Sequence, residues 1–146
     1  MTNEYFECSV SYEKMMDNGI EKRVKEMYLV EAVSFANAES RFLEEITPFM
    51  TGEFEVAAVN KRKYLEIFEN TELSADRYYK VKASFITLDE KSGNEKEKSY
   101  LYLVQAADIH QALDKFDEGM KGSMMDYTIK AVTETPYLDL YHLNND

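Results

Sequence analysis

Phe6, Cys8, Val10 and Tyr12 alternate with Glu7, Ser9, Ser11 and Glu13. That period of two predicts a strand with one buried face. Asn18-Gly19, inside "MMDNGIEK", is a hairpin-turn pair, and a second strand runs on to Ala32. Ser34 then predicts the N-cap of a helix of about a dozen residues, with Ala38, Phe42 and Leu43 on its apolar side. Pro48 and Gly52 end the helical region, a third strand spans residues 54–59, and the apolar "YLEIF" closes the segment.

The pattern then occurs again. At an offset of 74, Gly19 falls on Gly93, Tyr28, Leu29, Val30 and Ala32 fall on Tyr102, Leu103, Val104 and Ala106, and Phe42 falls on Phe116. At 73, "YFECSVSY" lies over "YYKVKASF", and "FEVAAVNKRKYLEIF" lies over "YTIKAVTETPYLDLY". The offset changes in turn regions, where a one-residue insertion is tolerated. Asp108 caps the second helix, and Gln111 stands at capping-box spacing from it. Gly119 and Gly122 follow that helix. The predicted fold is α+β: a tandem duplication of a β-β-α-β(β) unit, with antiparallel sheets, one helix per repeat and a pseudo-twofold. The repeats are assigned to residues 5–68 and 78–141, with "ENTELSADR" at 69–77 as linker.

Composition narrows the function classes. The chain has 146 residues, is 45% hydrophobic and carries a formal net charge of −11. Such a chain supports a packed core and repels polyanions and anionic lipid surfaces, so nucleic acid and membrane are disfavoured as partners. The N-terminus shows neither the basic nor the apolar region of a signal peptide, and no stretch approaches the roughly 18 apolar residues of a membrane span. The expected location is cytoplasmic. Cys8 is the single cysteine, on the predicted buried face, and reads as a small core hydrophobe. His110 and His142 are the two histidines, and each reads as structural or solvated. No phosphate loop, dinucleotide fingerprint, nucleophile elbow or zinc-binding helix motif is present. The expectation is therefore no catalysis, no metal and no cofactor.

Eleven tyrosines and no tryptophan are the unusual feature. They fall on strand-like positions, where they pack the core or, alternatively, present a stacking surface for bases. Tyr78, Lys80 and Lys82 share one face of their strand; with Arg23 and Lys25 they are the candidate ligand-binding residues. The run Lys61-Arg62-Lys63 reads as a solvated turn, and Met120, Met124 and Met125 as gap-filling core. If Tyr28, Val30, Tyr102 and Val104 face the helices, then Met27, Leu29, Leu101 and Leu103 face away. A sheet covered on one side should be polar there. These four residues are the predicted interface of a homodimer.

"YFECSVSYEK", "YLVEAVSFANAESRFLEEITPFMTGEFEV", "RYYKVKASFITLDEKSG", "YLVQAADIHQALDKFDEGMKGSMMDY" and the two closing segments resemble a family of Bacteroidetes bacteria and their phages, domain-of-unknown-function family 4494. The resemblance spans nearly the whole chain. It implies a small accessory protein carried by phages, acting in the host cytoplasm, and carries over no catalytic residue. The expected function is a non-enzymatic binding module that sequesters a nucleotide-type ligand or blocks a host protein. The alternatives are a single-stranded nucleic-acid accessory protein using a tyrosine-bearing sheet face, and a structural or assembly protein.

Overall fold

The structure, a computed structural model, describes residues 4–123 and 125–143; Met124, named above, lies outside them. The chain divides into two compact units, Met1–Lys63 with Pro136–Asp146, and Tyr64–Thr135.

In the first unit β1 (Glu4–Met15) and β2 (Glu21–Ala32) form a long hairpin. Gly19 turns it with φ +83, a conformation that glycine adopts without penalty. Helix α1 (Phe35–Ile46) follows, then a 3-10 turn (Thr47–Phe49) and β3 (Phe54–Arg62). β3 lies antiparallel to the other side of β1. The alternation places Phe6, Cys8, Val10 and Val30 against Ala38, Phe42 and Ile46 of α1. Two reciprocal bonds fix the helix start: Ser34 Oγ accepts from Asn37 N at 3.0 Å, and Asn37 Oδ1 accepts from Val33 N at 3.1 Å. This satisfies backbone donors that a helix end leaves unpaired.

The second unit has the same order of elements: hairpin β5 (Arg77–Leu88) and β6 (Glu95–Ala106), helix α2 (Ile109–Gly119) and strand β7 (Tyr127–Glu134). Tyr79, Val81, Ala83 and Phe85 take the inward positions against Ala112 and Phe116. Asp108 caps α2 by accepting from Gln111 N at 2.8 Å, while Gln111 Oε1 accepts from Ala107 N at 2.7 Å. Met120 packs against this core, whereas Met125 is exposed.

The closing segments depart from the expected sheets. β4 (Glu66–Phe68) follows β3 in the chain but pairs with β6 of the second unit, and β8 (Tyr137–Tyr141) follows β7 but pairs with β2 of the first. Both pairings are parallel. The expectation of purely antiparallel sheets is thereby corrected to two mixed four-stranded sheets, ordered β3-β1-β2-β8 and β4-β6-β5-β7. Each closing strand delivers an aromatic ring to its host strand. Phe68 stacks on Tyr102 with centroids 6.1 Å apart, and Tyr141 stacks on Tyr28 at 5.6 Å.

Residues 69–77 pack onto the second unit. Asn70 N donates to Gln105 Oε1 at 3.0 Å, Gln105 Nε2 donates to the Ala75 carbonyl at 3.0 Å, and Gln111 Nε2 donates to Glu72 at 2.9 Å. Asn70 and Ala75 are buried.

Leu29 and Leu103 lie outside both helix-side clusters, on the far faces of their sheets, as the alternation predicts. Both have 0% exposure within the single chain. Leu140 of β8 sits beside Leu29, and Ile67 of β4 beside Leu103. Met27 and Leu101 are half-buried. Leu29 and Leu103 are thus covered within one copy of the chain, while Met27 and Leu101 keep part of their surface exposed.

Candidate functional site

Because Tyr79, Val81, Ala83 and Phe85 point into the core, Tyr78, Lys80, Lys82 and Ser84 take the opposite face of β5. Antiparallel register sets their neighbours. Lys80 lies between Leu103 on β6 and Thr133 on β7, and Lys82 between Leu101 and Ala131. An open depression of about 410 Å³ occupies this face, lined by Lys80, Lys82, Ser99, Tyr100, Leu101, Ala131 and Thr133. Tyr100 packs its ring with the core, edge-on to Phe85 at 5.9 Å. The floor offered to a ligand is therefore aliphatic, and its polar side-chain groups are two ammoniums and the hydroxyls of Ser99, Tyr100 and Thr133.

The charge balance here is unusual for so acidic a chain. None of the lining residues is acidic. Among the described residues, no ion pair involves Lys80 or Lys82. Glu97, the nearest carboxylate on β6, is bound to Lys130 at 3.4 Å. The Ser84 hydroxyl first, and then Lys130, hold its carboxyl below the usual range; Lys82 contributes less. Ser84 also shares a 2.7 Å hydrogen bond with Ser99. Tyr78 is buried at 5% exposure and does not line the depression. Its carbonyl accepts from both the amide and the hydroxyl of Thr135, each at 2.8 Å.

Arg23 and Lys25 belong to β2 of the first unit, apart from the sheet that carries Lys80 and Lys82. Arg23 donates to Ser11 at 2.9 Å and pairs with Glu55 at 3.4 Å and Glu13 at 3.7 Å. On the far face of the first sheet, Glu7 pairs with Arg62 at 3.1 Å and accepts the Tyr137 hydroxyl proton. Lys61 of the basic run pairs with Glu4 at 2.8 Å.

None of the eleven tyrosines is exposed. Tyr28, Tyr102, Tyr127 and Tyr141 join the aromatic packing around Phe42 and Phe116. Cys8 is fully buried, and desolvation, then the Glu39 charge, push its thiol up to about 12. That disfavours the thiolate a nucleophile needs. His110 is exposed near the start of α2. His142 faces Glu31 at 3.6 Å, and its carbonyl accepts from Arg41. Among the described residues no group of three or more His, Cys, Asp or Glu could hold a metal ion. No described helix is long and apolar enough to cross a membrane.

Parity along β5 finds Lys80 and Lys82 together. Ser99, Leu101, Ala131 and Thr133 were missed because their placement depends on strand register, which the Asn-Gly turn alone does not fix. Compared with known proteins, the chain is matched over residues 4–143 by the model of a family described as Domain of unknown function (DUF4494). It belongs to the DUF4494 family. No curated protein and no solved structure matches it.

Proposed function

We propose that this DUF4494 protein is a non-enzymatic binding module whose site, on the face of the second sheet opposite α2, takes a small anionic ligand of nucleotide type. The observation that carries this reading is the pair Lys80 and Lys82, unpaired in a concave surface with no acidic lining residue. Like ordering of elements in the two units supports descent by tandem duplication, and that makes the sites comparable. Glu7 then corresponds to Lys80 and Arg62 to Thr135. In the first unit the site is closed by its own Arg62–Glu7 ion pair. In the second the counter-anion is left for a ligand to supply. Net charge −11 repels an extended polyanion but leaves room for a short one at a local cationic spot.

The alternative, a single-stranded nucleic-acid accessory protein, is the less supported reading, because no tyrosine is fully exposed to stack bases and the net charge is −11. The phage setting implied by the family resemblance would give such a module an accessory or counter-defence role in a host cytoplasm.

Calorimetric titration of nucleotides into the full chain and into a Lys80→Gln, Lys82→Gln variant tests the reading. Binding by the wild type, weakened at least about tenfold in the variant, is the expected result. Absence of binding by every anion, or binding indifferent to both lysines, overturns it.

A further inference from the structure

Resting on the site just proposed, we infer that it selects a terminal phosphomonoester, carried as a dianion, and reads the rest of the ligand only weakly. Lys80 and Lys82 are two residues apart on one strand face, so their Cα atoms stand roughly 6.6 Å apart along β5. Two long, flexible side chains at that spacing straddle a single phosphate, and two ammoniums match a charge of about −2. A diester brings one charge and leaves one ammonium uncompensated.

The surroundings favour this stoichiometry. Glu97 and Lys130, the charged groups that β6 and β7 bring near this face, neutralise each other at 3.4 Å. The Thr133 hydroxyl lines the same depression, where it supplies a neutral donor for a phosphate oxygen, while the Ser99 hydroxyl is engaged with Ser84 at 2.7 Å. The remaining lining of Leu101 and Ala131 covers part of a ligand body without hydrogen-bonding to it. Tyr100, the one aromatic lining residue, packs its ring with the core. A base entering here therefore gains area but no stacking partner, and discrimination among bases is weak.

Three probes that share base and sugar separate the cases: adenosine 5′-monophosphate, 3′,5′-cyclic adenosine monophosphate and adenosine. Titrated into the full-length protein, the monophosphate is expected to bind at least about tenfold more tightly than the cyclic diester, and adenosine not measurably. Guanosine, cytidine and uridine 5′-monophosphates follow within a few-fold. The second phosphate proton has a pKa near 6, so the monophosphate loses about five- to tenfold in affinity between pH 7.5 and pH 5.0 while the diester holds constant. Glu97 stays ionised across that window because its carboxyl is held below the usual range. Lys121→Gln, on an exposed lysine after α2 and outside the depression, leaves all affinities unchanged.

Equal binding of monoester and diester, both weakened by Lys80→Gln and Lys82→Gln, overturns the inference while leaving the anion site in place. A monophosphate affinity that is flat from pH 7.5 to 5.0 overturns it as well. If no phosphate compound binds, the proposed function falls together with it.

Discussion

Replacing Phe68 by Ala puts the crossed path of the chain to a direct test. Phe68 is encoded six residues after β3 of the first unit, yet its ring stacks on Tyr102 at 6.1 Å and meets Phe116 edge-on at 6.0 Å, both in the second. Truncating a fully buried Phe costs about 3–5 kcal/mol, part of it from aromatic pairs worth about 0.5–1.5 kcal/mol each. Phe68 keeps some of its surface in water, so the expected loss is about 2–3 kcal/mol. That is a large share of a typical domain stability of about 5–15 kcal/mol. It raises the open population roughly 30- to 150-fold. Native-state hydrogen exchange reads where the loss falls. Amides of β5, β6 and α2 should lose protection by about that factor, while those of β1, β2 and β3 keep theirs. Loss of protection confined to β1–β3 would refute the pairing of β4 with β6.

Gly119→Ala should destabilise the protein by about 1 kcal/mol, although Ala ordinarily improves a helix by a similar amount. A Cβ there would lie 2.7–2.9 Å from three ring carbons of Phe68. Thermal melting should show the loss, and Phe68→Ala in the same chain should abolish it; two additive effects would contradict the contact. Alkaline pH should weaken the first unit. Burial and the Glu39 charge push Cys8 up to about 12, burial with Asp139 and Glu45 does the same to Tyr141, and burial with Glu26 raises Tyr28 further. All three are neutral in the fold, whereas the unfolded chain ionises them near their ordinary values of about 8.5 and 10. Their contribution is complete below about pH 8.5 and is lost as pH rises toward the folded values. Urea midpoints should be level from pH 7 to 8 and fall from pH 9 to 11; a midpoint constant to pH 11 would contradict this.

Local features were readable in the sequence. The inward sets Phe6, Cys8, Val10 and Tyr79, Val81, Ala83 follow from alternation, and the caps at Ser34 and Asp108 from side-chain chemistry. Lys80 and Lys82 on one face follow from the same parity. The destination of "YLEIF" and "YLDLY" does not, because a short apolar strand fits either sheet edge and carries no mark of which one it joins. Residues 69–77 look like a polar connection until Gln105 and Gln111, 30 or more positions away, take up Asn70, Glu72 and Ala75. Arg23 looks like a free cation until register brings it opposite Glu13.

The crossing of β4 and β8 also sets an order of completion during synthesis. The second unit is one uninterrupted stretch, Tyr64–Thr135, and holds every strand of its sheet once β7 has left the ribosome. The first unit, although most of it is made earlier, waits with the edge of β2 open until β8 emerges behind the whole of its neighbour. The nascent chain thus finishes its later half first, and its earlier half is the one that carries an unpaired strand edge longest, the state in which sheet proteins are most prone to pair with other chains.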